Sequence, residues 1–349
     1  MLCASEKRLN ITEMCSAATF NVRFMTFLNS TVIRCEGLGT IIEAFLIVEI
    51  ALLALGILEF LYLFYLFLFV RSMHFNLTCL FMHYGGQYFF SVMARCVILY
   101  QQFGFHIPDE YLFYANYIRT ICLFIAFYIL PIFMVERLFA TIMVKTYEKS
   151  RHFWVSLVIL AIFFPLVITS GVAYINCWIS LPIHVATFII VNLTGYFGLV
   201  AIYNYNSKRH QKTLKLPKNR NYNLSERFQL AENIKMCEVL RRVQISIIFF
   251  NVFSTSILLL DHFPISPRFL SLAYVFYNIL LTIYAISCPI ILHQCLPEWC
   301  KNTRKLIKLI LGNRINEVRP RTTFGEKMIY DNHRDLTNMY FMQFDKALR

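Results

Sequence analysis

Residues 40–70 read TIIEAFLIVEIALLALGILEFLYLFYLFLFV. A helix needs about 20 mostly apolar residues to cross the hydrocarbon core of a bilayer, and this stretch exceeds that length. Six more runs of the same character follow, near 75–102, 113–144, 153–175, 183–205, 243–263 and 269–292. Over the 349 residues, 58% are hydrophobic and only 15% charged, far too apolar for a soluble domain. No Gly/Ser-rich linker, low-complexity tract or internal repeat interrupts the runs. The expected fold is an all-α membrane protein, a seven-transmembrane helix bundle. It divides into an N-terminal segment 1–38, a membrane domain 39–292 and a tail 293–349.

The net charge of +13 would suggest nucleic acid as the partner of a soluble protein. In a membrane protein it reads instead as basic loops facing the cytoplasm and its anionic lipid, so membrane lipid is the expected partner and nucleic acid is not. Segment 1–38 carries four Lys or Arg, and the loops after spans two, four and six carry only Arg268. On the other side, the loop after span one holds Arg71, that after span three holds Lys145, Lys149 and Arg151, residues 206–242 hold ten, and the tail holds eleven. Twenty-five against five places the N-terminus outside. Asn10 and Asn29 head N-x-S/T sequons in that outer segment and are the expected glycan sites. The sequons at Asn76, Asn192 and Asn223 fall in or beside spans or on the cytoplasmic side, where no glycan should attach. Residues 1–30 lack a continuous apolar core, so the first span is expected to act as an uncleaved signal anchor.

A second stretch, PIFMVERLFATIMVKTYEKSR at 131–151, puts Glu136 and Arg137 near the end of the third span. A helix starting near Phe113 has climbed about 35 Å by Arg137, so the pair arrives at the inner membrane boundary. One reading is a neutralised pair that anchors the helix end. The other is a signalling switch, in which the arginine exchanges partners between two helix arrangements.

Glu136-Arg137 with Phe139-Ala140-Thr141, followed by Tyr147-Glu148 and a basic residue, resembles the signature of the nematode class epsilon serpentine receptors (Sre). The block Leu224-Ser-Glu-Arg-Phe-Gln-Leu-Ala-Glu-Asn233 is similar to a segment of that family's third cytoplasmic loop. The resemblance runs from the first span to the seventh. It implies a seven-helix chemoreceptor of the plasma membrane of sensory cells or their cilia, with a small-molecule ligand and signalling through a heterotrimeric G protein. The residues facing that partner are then Tyr147, Glu148, Arg227, Glu238, Arg241 and Arg242. Glu136-Arg137 stands where rhodopsin-like receptors have a D/E-R-Y triplet, with Leu138 in place of the tyrosine. Cys288-Pro289-Ile290-Ile291-Leu292 keeps the proline of the NPxxY element without its asparagine and tyrosine.

The third cytoplasmic loop, 206–242, has ten basic and three acidic residues. It reads as a partner surface or as a lipid-facing basic loop. Its distal part has helical spacing of Phe228, Ala231, Ile234 and Val239, with Ser225 placed to cap it. After the seventh span, residues 298–311 put Trp299, Thr303, Leu306 and Ile310 on one face and Lys301, Arg304 and Lys308 on another, the pattern of an interfacial amphipathic helix. Cys295 and Cys300 beside it are palmitoylation candidates, against the default of a small buried hydrophobe.

Charges inside the membrane need partners or a function. Glu43, Glu49, Arg95, Arg119 and His184 all fall in the outer half of the spans. Glu49 and Arg95 are expected to neutralise one another, although Arg95 is also a ligand-binding candidate with Arg119 and His184. An arginine in a dry pocket favours an anionic or carbonyl-bearing ligand. Outside the membrane, Cys35 with Cys177 is the disulfide candidate, among pairings that also include Cys3 and Cys15. No H-E-x-x-H, G-x-S-x-G, P-loop or paired-cysteine metal motif occurs, so no enzyme, cofactor or metal is expected. A ligand-gated channel or transporter and a structural membrane protein are the alternatives to a receptor.

Overall fold

In a bilayer, an apolar stretch can satisfy every backbone N–H and C=O without water only by closing on itself as a helix. The computed structural model describes residues 28, 33, 37–70, 72–144, 154–215 and 224–311. Among the described residues there is no strand, and the α-helices are α1 (Gly39–Phe69), α2 (Phe75–Gln102), α3 (Asp109–Phe127), α4 (Ile129–Ile142), α5 (Trp154–Ile175), α6 (Leu181–Lys215), α7 (Leu224–Leu259), α8 (Pro267–Cys295) and α9 (Pro297–Ile310). By length and composition α1, α5, α6, α7 and α8 can each cross a membrane alone, and α3 with α4 is long and apolar enough as a pair, bent by 47°. The seventh helix, α2, is long enough but less apolar, because Asn76, Gln87 and Arg95 are among its buried residues. The protein is an all-helical membrane bundle. The third run of the sequence is thus two helices rather than the single one expected.

Packing follows a ring: α1 lies against α2 and α8, α2 against α3, α4 against α6, α6 against α7, and α7 against α8, with α5 packed chiefly on α3. Leu157, Ile162 and Leu166 of α5 and Leu58, Leu61 and Leu68 of α1 are exposed, as expected of helices whose outward faces meet lipid. Leu28 and Ile33, before α1, are buried with Leu38, Leu46, Val92 and Tyr274.

The bend has a specific cause. Pro131 has no N–H, so the carbonyl of Phe127, four residues earlier, loses its helical donor, and the chain turns at Tyr128 with φ −97° and ψ 9°. Asn192 of α6 supplies a substitute: its Nδ2 donates to Phe127 O at 3.0 Å, and its Oδ1 accepts from Asn251 Nδ2 of α7 at 3.1 Å. Gly195 permits this approach, because a Cβ there would lie 2.9 Å from both Leu130 C and Pro131 N. One turn along, a Cβ on Gly198 would lie 2.9 Å from Met134 Cγ.

α6 outruns its expected end and continues to Lys215, while α7 begins at Leu224, where the helical spacing of the distal part of 206–242 placed it, so most of 206–242 is helix. Arg209 of α6 pairs with Glu226 of α7 across the gap. The inward face of α7 matches the apolar spacing only in part. Val239 is buried and Ile234 half-buried, whereas Phe228 and Ala231 are exposed, and Gln229, Leu230, Asn233, Met236, Cys237 and Leu240 are buried. Both faces of this helix carry apolar residues, and a polar side chain at Asn233 is needed inside, so apolar spacing alone does not fix the stripe.

The bundle forms one compact unit ending at Trp299, and residues 300–349 form another. Within the first unit, Trp299 is fully buried, its ring edge-on to Phe67 at 5.0 Å, and its Nε1 donates to Val70 O at 3.3 Å, satisfying a carbonyl at the end of α1. In α9, Lys301, Arg304 and Lys308 are exposed.

Replacing Gly195 with Ala should lower thermal stability by about 1–3 kcal/mol, because the new methyl meets backbone that cannot step aside. Gly86→Ala, with nothing within 4 Å of the added Cβ, should leave stability unchanged or raise it. Thermal unfolding of the detergent-solubilised protein compares the two, and equal midpoints would contradict the close approach.

Candidate functional site

Two clusters of buried charge occupy the bundle. In the first, Glu49 of α1 and Arg95 of α2 form a fork: Nε donates to Oε1 at 2.6 Å and Nη2 to Oε2 at 2.7 Å. Both side chains are almost wholly buried. A lone buried charge is costly, and the fork offsets part of that cost for both partners. Across the interior, Arg119 of α3 donates through Nη2 to Asn278 Oδ1 of α8. Arg119 is 4% exposed, and among the described residues no partner reaches its Nη1 or that of Arg95.

Both arginines line one cavity of about 70 Å³ together with Glu49 and Asn278. Tyr84, Gln87, Tyr88 and Thr282 add polar groups, and Leu53, Val92, Leu123, Phe127 and Leu281 supply an apolar wall. Two guanidinium groups against one carboxylate leave a lining charge of +1. Such a site can hold an acceptor between unpaired N–H donors while its apolar wall covers the rest of a ligand. Phe127, whose carbonyl marks the bend, is part of this wall.

His184 does not join the cavity. It is buried among Phe124, Tyr174 and Phe188, with ring centroids 6.0, 5.6 and 6.4 Å away. Glu43 is exposed on α1. Cys177 has φ 57°, the left-handed position that ends α5, with Cys177 N bonded to Tyr174 O and Trp178 N to Ala173 O. Its candidate partner Cys35 lies outside the described residues, as do Asn10, Asn29, Tyr147 and Glu148. Asn76 and Asn192 are buried, consistent with sequons that carry no glycan.

The second cluster lies where α4 ends and α7 begins. Arg137 forks onto Glu136 through Nε and Nη2, and its Nη1 donates to Asn233 Oδ1 of α7 at 3.1 Å. Thr141 gathers the rest: its hydroxyl donates to Arg137 O at 2.8 Å and accepts from Asn233 Nδ2 and Asn206 Nδ2, each at 2.9 Å. All five side chains are buried. This clasp ties α4 to α6 and α7 through one arginine and one threonine.

Glu238 bonds Arg241 at 2.8 Å and Arg242 at 3.4 Å on its own helix. Arg241 also lies over Tyr203 at 5.3 Å. Arg227, Cys295 and Cys300 are half-buried. Sequence reading passed over Asn206, Asn233 and Asn278 as site residues. Thr141 and Asn233 did stand in the two quoted motifs, and their meeting in space gives those motifs a physical reason.

A helical membrane bundle with buried charge at two levels defines a multi-pass membrane protein of the serpentine kind. The chain belongs to the Sre G protein-coupled chemoreceptor family, whose model matches residues 14–349. It is 53% identical over 339 residues to Serpentine receptor class epsilon-8 of Caenorhabditis elegans, covering 96% of this chain and 99% of that protein. Serpentine receptor class epsilon-13 of the same organism is 26% identical over 94% of this chain and 97% of its own length. Probable G-protein coupled receptor F27E5.8 is 25% identical over 74% and 80%. Membership supports G protein coupling in general, and the family is one of receptors, not of enzymes.

Breaking the first fork on either side should sharply reduce the folded protein at the surface, as a buried pair loses about 3–5 kcal/mol when one partner goes. The exchanged pair, E49R with R95E, should restore part of it. Surface labelling of the two single variants and the double reads this out. A double variant no better than the worse single would contradict direct pairing.

Proposed function

We propose that this protein is a chemosensory receptor of the plasma membrane of sensory cells, with its N-terminus outside. It binds a small anionic or carbonyl-bearing molecule in the Arg119 cavity and signals through a heterotrimeric G protein. The orientation rests on the distribution of basic residues, which sets the cavity in the outer half and the clasp at the cytoplasmic end. Arg119 and Arg137 are then separated by about 27 Å of helix path, with the bend at Tyr128 between them.

The observation that carries this reading is Arg119 itself. A buried guanidinium with an unpaired N–H facing a cavity is retained at a cost that binding would offset. A ligand bridging α2, α3 and α8 prefers one arrangement of those helices, and α3 is joined to α4 at the bend. Rearrangement there shifts Arg137 relative to Asn233 and frees the start of α7 for the partner, with Arg227, Glu238, Arg241 and Arg242 on that helix and Tyr147 and Glu148 in the sequence between α4 and α5.

Cells expressing the protein can be screened with small molecules while second messengers and membrane current are recorded together. A messenger response without current is expected. Arg119→Ala should raise the agonist concentration for half-response about 10- to 150-fold, the equivalent of one charge-assisted bond of about 1.5–3 kcal/mol. Current that persists with G proteins blocked would favour a channel. Unchanged potency in Arg119→Ala at normal surface amounts would remove the cavity from ligand recognition.

A further inference from the structure

We infer that the ligand class of the Arg95–Arg119 cavity is a short-chain monocarboxylate, one negative charge on a short apolar tail, about five to seven non-hydrogen atoms in all. The inference rests on reading this cavity as the ligand site and adds the chemistry it selects.

Charge sets the valence. Glu49 neutralises Arg95 through both carboxylate oxygens, whereas Arg119 bonds the neutral amide of Asn278. The lining residues therefore carry a net charge of +1, and both guanidinium groups are buried. In a low-dielectric interior one anion cancels it, a neutral ligand leaves it, and a dianion replaces it with a surplus of the opposite sign. Donor chemistry sets the head group. The Nη1 of Arg95 and of Arg119 both lack partners among the described residues, and a carboxylate offers two oxygens with about four acceptor sites to such donors.

Size and lining set the tail. A cavity of about 70 Å³ has room for about five to seven water-sized groups at roughly 10–15 Å³ each. Leu53, Val92, Leu123 and Leu281 give that tail apolar walls. A bare halide would leave these walls without contacts, so the hydrocarbon adds affinity as well as fit.

The test uses the purified full-length protein in lipid nanodiscs, with thermal stability and calorimetric binding measured for four probes: butanoate, butanamide, 1-butanol and chloride. Butanoate should bind and raise the unfolding midpoint, and the other three should bind at least ten-fold more weakly. Asn278→Asp places a counter-charge beside Arg119 with almost no change of shape. It should weaken butanoate binding at least ten-fold while leaving the ligand-free midpoint unchanged or raised.

Butanamide binding as tightly as butanoate would overturn the anionic class and leave the cavity as a ligand site. Chloride equal to butanoate would overturn the carboxylate assignment. If none of the four binds, and an agonist found in cells acts equally on Asn278→Asp, the cavity is not a ligand site and the inference falls with that reading.

Discussion

One carbonyl oxygen organises the middle of this protein. Phe127 O has no helical donor because Pro131 has no N–H, and within a bilayer no water stands ready to replace it. Asn192 fills the vacancy and is itself held by Asn251, so a chain of two hydrogen bonds links three helices at the bend. Gly195 lets the α6 backbone close on the bend. The direction in which α3 carries Arg119, and α4 carries Arg137, follows from that junction.

The two buried arginine clusters are built on different logic. Glu49 and Arg95 come from different helices and fix α1 against α2 by a fork at 2.6 and 2.7 Å. Glu136 and Arg137 are sequence neighbours, so their pairing joins no helices and leaves the guanidinium one further donor for Asn233. Such a bond is strong enough to hold an end of α7 and weak enough to exchange, since its net worth is about 1.5–3 kcal/mol. Thr141 and Asn206 belong to the same network, because the hydroxyl that accepts from both asparagines also donates to the Arg137 backbone.

Much of the fold was legible because bilayer thickness imposes a length on apolar runs, and the runs near 40–70 and 75–102 match α1 and α2 to within a residue. Opposite charges at one depth made the Glu49–Arg95 pair readable. The bend at Tyr128 was not, since a proline in a membrane helix does not say how far the chain will turn. Nor were the asparagines: Asn192, Asn251 and Asn278 sit singly in apolar windows, Asn206 and Asn233 sit among other polar residues, and only the fold shows which backbone or side-chain groups each one serves. The stripe through Phe228, Ala231, Ile234 and Val239 was a guide only at its far end, where Val239 is buried, because lipid-facing and core-facing sides of a membrane helix are both apolar.

A ligand-controlled clasp makes its most direct prediction without any ligand. Glu136→Gln removes one side of the fork, and Asn233→Ala removes the bond from Arg137 to α7. Second-messenger output, normalised to the amount of each variant at the cell surface, should rise above that of the parent for both, with no agonist present. If both reach the surface in normal amounts and their unstimulated output equals the parent's, Glu136 and Arg137 only anchor a helix end, and the clasp has no part in signalling.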